Sequence, residues 1–80
     1  MRFDLNTSQT DCANFEMAVQ RFAGDSVRMA HNYNLTDEDL SDYYEQFMSG
    51  VAVDDEREAR SRFHDLFKAA WESEIPAWVR

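Results

Sequence analysis

The chain is poor in residues that interrupt or cross-link a backbone. Its 80 residues include two glycines, one proline and one cysteine. Two glycines and one proline are too few for the many tight turns of an all-β fold, so the composition favours long helices. The single cysteine, Cys12, excludes an intramolecular disulfide, a thiolate zinc site and a CxxC redox pair, which indicates a protein of a reducing compartment.

Long apolar runs are also missing. No stretch approaches the length of a membrane span, and the amino terminus lacks the basic and then apolar pattern of a secretory signal. We therefore expect a cytoplasmic protein that makes no membrane contact. The length predicts a single domain, residues 1–80, and six Phe, three Tyr and two Trp are enough to build one hydrophobic core.

Basic residues are nearly absent from the middle of the chain. Sixteen acids against eight bases give a net charge of -8, and the whole excess lies between residues 37 and 58. The acids there are Asp37, Glu38, Asp39, Asp42, Glu45, Asp54, Asp55, Glu56 and Glu58, and the one base is Arg57. Such a field disfavours direct binding to DNA, RNA or an anionic membrane and suits a basic protein surface.

Apolar residues recur at helical spacing in three stretches. The first predicts a helix over residues 11–32, where Gly24 followed by Asp25 leaves one bent helix and two short ones equally open. Thr36 and Asp39 approximate a capping box, which predicts a second helix that Gly50 ends.

The third helix is predicted to begin after Asp54 or Asp55, and Pro76 limits it to about residue 73. Alternating apolar residues near 2–5 and 51–53 are compatible with short strands. The fold class is therefore mainly α, a small bundle of three or four helices with any strand content limited to one short two-stranded ribbon. We expect Phe22, Phe47, Phe63 and Phe67 to be buried, and the apolar tail of Ile75, Trp78 and Val79 to fold back onto the bundle.

No residue pattern is typical of catalysis. Cys12 with His31 or His64 has the residue types of a nucleophile and a base, but no local signature and no third orienting group accompany them. We expect Cys12 to be a small buried residue in the first turn of a helix, both histidines to lie on the surface, and the protein not to be an enzyme.

The acids do not form a recognisable metal site either. A calcium loop that began at Asp37 would need glycine at its sixth position and glutamate at its twelfth, where the chain has Asp42 and Met48. The acids from Asp54 to Glu58 lie where a helix begins, so their carboxylates point outwards at different angles. Two distant glycines exclude a phosphate-binding loop. We predict no metal, no cofactor and no catalytic residue.

The acidic segment itself is the candidate binding site. Acids at helix amino termini are often caps, and charged runs are often solvated faces, which explains Asp37, Asp39, Asp54 and Asp55. Neither explanation accounts for the near absence of bases. Glu38, Asp42 and Glu45 recur at helical spacing, and carboxylates one turn apart are about 5 to 6 Å apart along the axis, of the same order as the spacing of phosphates. We interpret all nine acids as partner-binding residues.

Two resemblances agree with this interpretation. In size, acidity and lack of a catalytic motif, the chain resembles the small inhibitors that phages and plasmids encode against CRISPR and restriction systems, several of which mimic DNA. The stretches LTDEDLSDYY and EIPAWVR are similar to the helical Hha/YmoA family of nucleoid-protein modulators, which bind H-NS. Both resemblances imply protein binding in the setting of DNA transactions.

The sequence thus predicts an inhibitor or modulator that covers a basic, nucleic-acid-binding surface on a partner protein. The alternative is a helical interaction module that binds its partner through apolar contacts of Tyr43, Tyr44, Trp71 or Trp78. Salt distinguishes the two, since an electrostatic complex weakens steeply with ionic strength.

Overall fold

The computed structural model describes residues 1–79, which form three helices and a pair of two-residue strands. In chain order the elements are β1 (Arg2–Phe3), α1 (Gln9–Arg28), α2 (Asp37–Met48), β2 (Ala52–Val53) and α3 (Glu56–Glu74), followed by a short 3₁₀ turn (Ala77–Val79). The expected bundle with one short ribbon is confirmed. No helix within residues 1–79 is long and apolar enough to cross a membrane.

Helix α1 is one helix that continues through Gly24, so the alternative of two short helices is wrong. Ser8 begins the helix, because its hydroxyl accepts a hydrogen bond from the Asp11 N–H at 3.1 Å. The helix ends at Arg28, four residues before the predicted boundary. The residues that follow connect α1 to α2, and the carbonyl of Tyr33 there accepts a hydrogen bond from Trp71 Nε1 at 3.0 Å.

The boundaries of α2 and α3 follow from local side chains, as predicted. At the start of α2 the Asp39 N–H donates to the Thr36 hydroxyl, and the Thr36 N–H donates to the Asp39 carboxylate, at 3.1 and 3.2 Å. Gly50 follows that helix with a φ of +79°, a conformation that glycine adopts without strain. Asp55 caps α3 by accepting from the Glu58 N–H at 3.1 Å.

The two strands pair in parallel, with Arg2 opposite Ala52 and Phe3 opposite Val53. Helices α1 and α3, which follow these strands, run in the same direction along each other. Asn6 and Asp55 meet at the amino-terminal end of this pair, and Gly24 lies next to the Glu74 side chain at the other end. Helix α2, which connects them in the chain, runs in the opposite direction. Its Tyr43 contacts Trp71 near the end of α3, and its Phe47 contacts Phe15 near the start of α1.

The core lies between α1 and α3 and is closed on one side by α2. Its fully buried side chains are Phe15, Val19 and Ala23 from α1, Leu40 from α2, and Ala59, Phe63 and Phe67 from α3. The rings of Phe63 and Phe67 stack with centroids 5.0 Å apart. The prediction that both are buried is confirmed.

Two of the expected core positions are only half-buried. Phe22 and Phe47 contact the central rings, with a centroid distance of 5.6 Å between them, but each keeps part of its ring in solvent. The apolar spacing correctly predicted that both residues lie on the inward sides of their helices. They stay half-exposed because no further element covers the seam between α1 and α2 where the two rings meet.

The apolar tail does not fold back as predicted. Ile75 is half-buried, but Trp78 is 82% exposed. Pro76 follows the end of α3, and the 3₁₀ turn leaves Trp78 at the surface beside Tyr33 and Ile75, because Trp71 already occupies the buried position next to the Tyr33 carbonyl.

Candidate protein-binding face

The nine acids of residues 37–58 are divided by the fold into structural and free carboxylates. Asp54 is structural. One of its carboxylate oxygens accepts from the Leu5 N–H at 2.8 Å and the other from the Asn6 N–H at 3.1 Å. Asp55 accepts from the Asn6 side-chain amide at 3.2 Å in addition to capping α3. Together they fasten the segment after β1 to the start of α3.

These hydrogen bonds alter the acidity of both aspartates. Desolvation acts to raise the pKa of Asp54, but the backbone N–H groups of Leu5 and Asn6 outweigh it, and the pKa lies below its ordinary value. The pKa of Asp55 is lowered chiefly by the Glu58 N–H and then by the Asn6 amide. Both carboxylates are therefore stabilised in the charged form by the fold itself.

Two more acids have partners inside the molecule. Glu58 accepts from Arg62 Nε at 2.7 Å, and this hydrogen bond raises the pKa of the Arg62 guanidinium. Asp39 is half-buried and completes the capping box of α2. Like Asp54 and Asp55, these two carboxylates have a role that folding alone explains.

The remaining five acids, Asp37, Glu38, Asp42, Glu45 and Glu56, are exposed. None of their carboxylates forms a hydrogen bond or ion pair with another residue in the described part of the chain. Glu38, Asp42 and Glu45 recur at i, i+4 and i+7, so they line one side of α2. We call these three residues the α2 acidic face. Leu40 and Tyr44, which are buried, lie on the other side of the same helix.

Glu56, in the first turn of α3, lies close enough to α2 for its charge to act on Tyr44. Tyr44 contacts Phe63 of α3 with ring centroids 5.3 Å apart. Desolvation raises the pKa of Tyr44, Arg60 acts to lower it, and the Glu56 charge adds to the increase. Of the acids at the start of α3, Glu56 is therefore exposed near Tyr44, while Asp54, Asp55 and Glu58 hydrogen-bond within the molecule.

The α2 carboxylates also lack neutralising bases. Helix α2 contains no lysine or arginine, and the ion pairs found among residues 1–79 join Arg2 to Asp4, Arg28 to Asp25 and Arg62 to Glu58. Arg60 does approach α2, but its guanidinium lies over the ring of Tyr44, 4.6 Å from the centroid. The negative charge of α2 is therefore left for solvent or a partner.

The aromatic residues of the alternative interpretation are mostly committed to the core. Tyr44 and Trp71 are buried, and Tyr43 is half-buried with its ring 5.0 Å from that of Phe67. Desolvation and the Asp39 charge raise the pKa of Tyr43, so its hydroxyl stays neutral. Of the four aromatic residues, only Trp78 is freely accessible.

The residues considered for catalysis do not come together as a nucleophile and a base, and the residue beside Cys12 is Arg62 rather than a histidine. Cys12 is half-buried rather than fully buried, and its thiol donates to the Leu5 carbonyl at 3.1 Å. His31 is exposed and His64 is half-buried, and neither hydrogen-bonds to Cys12. Across residues 1–79, no three His, Cys, Asp or Glu side chains are grouped as metal ligands.

Comparisons of this chain with protein-family models, with curated proteins and with solved structures found no match.

Proposed function

We propose that this protein binds a basic surface of a partner protein and blocks nucleic-acid binding there, as an inhibitor or modulator of the anti-CRISPR or anti-restriction type. One observation carries the proposal: the exposed carboxylates of Glu38, Asp42 and Glu45 have no partner among the described residues. Charge left unpaired on one helix side repels itself, and a basic partner relieves that repulsion on association.

Charge reversal on the α2 acidic face tests this proposal. The double variant Asp42→Lys/Glu45→Lys should change the free energy of unfolding by less than about 0.5 kcal/mol, because both side chains are exposed. Binding to the partner should fall at least about tenfold, equivalent to about 1.4 kcal/mol. The remaining affinity should depend less on salt, since fewer opposite charges meet.

A matched control has the same change in net charge at another place. Glu16→Lys with Asp65→Lys alters two exposed acids beside the groove between α1 and α3. The partner is obtained by affinity capture from source cells, and displacement of labelled DNA or RNA from it is then measured with parent, variant and control. If variant and control lose binding equally, the effect comes from net charge alone, and the proposal that the α2 acidic face is the binding site is wrong.

The alternatives predict different results. If the Asp42/Glu45 variant folds and binds as tightly as the parent, the electrostatic proposal is wrong and an apolar interface replaces it. Cys12→Ser should leave activity nearly unchanged, because a serine hydroxyl can make the hydrogen bond that the thiol donates to the Leu5 carbonyl. Loss of activity in that variant alone would support an enzymatic role instead.

A further inference from the structure

An open apolar groove runs along the seam between α1 and α2. Its floor is formed by Ala18, Phe22 and Phe47, and Met17 stands at its α1 edge with 62% of its surface exposed. The groove encloses about 500 Å³. The two half-buried phenylalanines are thus exposed at one common place, next to an accessible methionine, which is a side chain typical of adaptable binding surfaces.

The two edges of this groove differ in charge. Asp42 lies one helical turn before Gln46, which lines the α2 edge, so this one carboxylate of the α2 acidic face lies near the groove. On the α1 edge, Arg21 forms no ion pair with any of residues 1–79, and Asp25 is paired with Arg28 at 3.0 Å. The negative charge near the α2 edge is therefore that of Asp42, next to the uncharged lining residues Gln46 and Phe47, and the α1 edge is neutral to positive.

The length of the groove suits a short helix. Its lining residues on α1 extend from Asn14 to Asp25, which corresponds to about 17 Å along the helix axis, or three turns. A helix laid in a groove places anchors at i, i+3 or i+4, and i+7 on the floor, which here is apolar. A second copy of this chain is a poor occupant, because it also carries a net charge of -8.

We propose that this groove receives an amphipathic helix of the partner, about three turns long, with apolar residues against Phe22 and Phe47 and with Lys or Arg along the edge next to α2. This inference rests on the proposed function, since it assigns the partner's basic charge to the α2 acidic face. It adds that the partner also makes apolar contacts with Phe22 and Phe47, and it places the partner at the seam between α1 and α2.

The test uses three synthetic peptides of equal length, with binding followed by the NMR signals of Met17 and the groove amides. The first peptide has leucines at helical spacing and lysines along one edge; the second has the same composition in scrambled order; the third has glutamate in place of lysine. The first should shift the signals of Met17, Ala18 and Phe47 and bind at least about tenfold more tightly than either control peptide.

Substitutions at the groove edge separate the apolar from the electrostatic contribution. Met17→Gln keeps the length of the side chain and its helix propensity. It should lower the affinity for the first peptide about fivefold, because an apolar contact is lost. Met17→Leu should restore the affinity. The exposure of Met17 means that neither substitution disturbs the core.

The possible failures distinguish this inference from the proposed function. If the scrambled peptide binds as tightly as the first, or if no signal of the groove shifts, the groove is not the docking site, while the α2 acidic face is still judged by the charge-reversal experiment. If the glutamate peptide binds the groove as tightly as the lysine peptide, the assigned basic partner is wrong. Dimerisation of the free protein that Met17→Gln abolishes would make a second copy the occupant and overturn the inference.

Discussion

The two sides of α1 pack against their neighbours in different ways. Towards α3, α1 presents Val19 and Ala23, which are fully buried, and the two helices lie along each other closely. Towards α2 it presents Phe22, which meets Phe47 ring to ring and stays half-exposed beside a groove. Small and branched residues allow close helix approach, whereas two large rings hold the helices apart and leave space between them. The interface with α3 is filled by fully buried side chains, whereas the interface with α2, which we call the open side, leaves two rings half-exposed.

The carboxylates follow the same division. Asp54, Asp55 and Glu58, on the side of α1 and α3, have partners within the molecule. Those of α2 other than Asp39 have none in the described chain. Asp54, Asp55 and Glu58 therefore help to hold the fold, whereas the open side leaves charges and aromatic surface accessible together. This difference supports placing function on the open side.

The largest expected effect compares the same substitution in the two regions. Phe63→Ala removes a fully buried ring and should lower the free energy of unfolding by about 3 to 5 kcal/mol. Phe47→Ala should cost clearly less, because its ring is partly in solvent already and leaves a smaller cavity. Urea unfolding of both variants measures the difference. Equal losses would mean that the groove is closed in solution and that the comparison is wrong.

An intermediate effect concerns Asp54 and acid. Because its pKa in the folded protein lies below the ordinary value of 3.8, its contribution to stability is fully present above that value and is lost as the pH falls through the lower folded value. Stability of the parent should therefore fall below about pH 4, and Asp54→Asn should reduce this dependence. Asp42→Asn, which removes an exposed charge without an internal partner, is the control.

Urea midpoints from about pH 5 to about pH 2 test the role of Asp54. If Asp42→Asn flattens the pH dependence as much as Asp54→Asn does, the distinction between structural and free carboxylates does not hold.

The smallest expected effects come from the two glycines. A Cβ at Gly24 would meet only Arg28 Nη2 and Glu74 Cδ, each at 4.0 Å, which is ordinary contact. Gly24→Ala should therefore raise the free energy of unfolding by about 0.5 to 1 kcal/mol, because alanine is the better helix former. Gly50→Ala should lower it by about 1 kcal/mol, since φ is +79° there.

Thermal unfolding resolves these changes, because about 1 kcal/mol corresponds to about 4–8 °C in Tm for a domain of this size. Destabilisation by Gly24→Ala would show that α1 and α3 approach more tightly than the 4.0 Å contacts indicate.

The starts and ends of the helices could be predicted because the contacts that create them are local. The Thr36 capping box and the Asp55 cap each join residues three positions apart, and Gly50 acts through its own backbone. The acidic excess is likewise visible in the chain, and so is its concentration on α2. In the candidate site, the spacing of Glu38, Asp42 and Glu45 was a usable signal for the exposed side of that helix.

Other features depend on pairs of residues far apart in the chain. Asp54 accepts a hydrogen bond from the Leu5 N–H, 49 positions away. No local pattern distinguishes this aspartate from nearby acids such as Glu56, whose carboxylate has no such partner. The parallel direction of β1 and β2, and with it that of α1 and α3, is also a long-range property. Apolar periodicity identifies the inward side of a helix, but how deeply a ring on that side is buried depends on whether another element covers it. For Phe63 the neighbouring helices do so; for Phe22 and Phe47 they do not, and the groove exists for that reason.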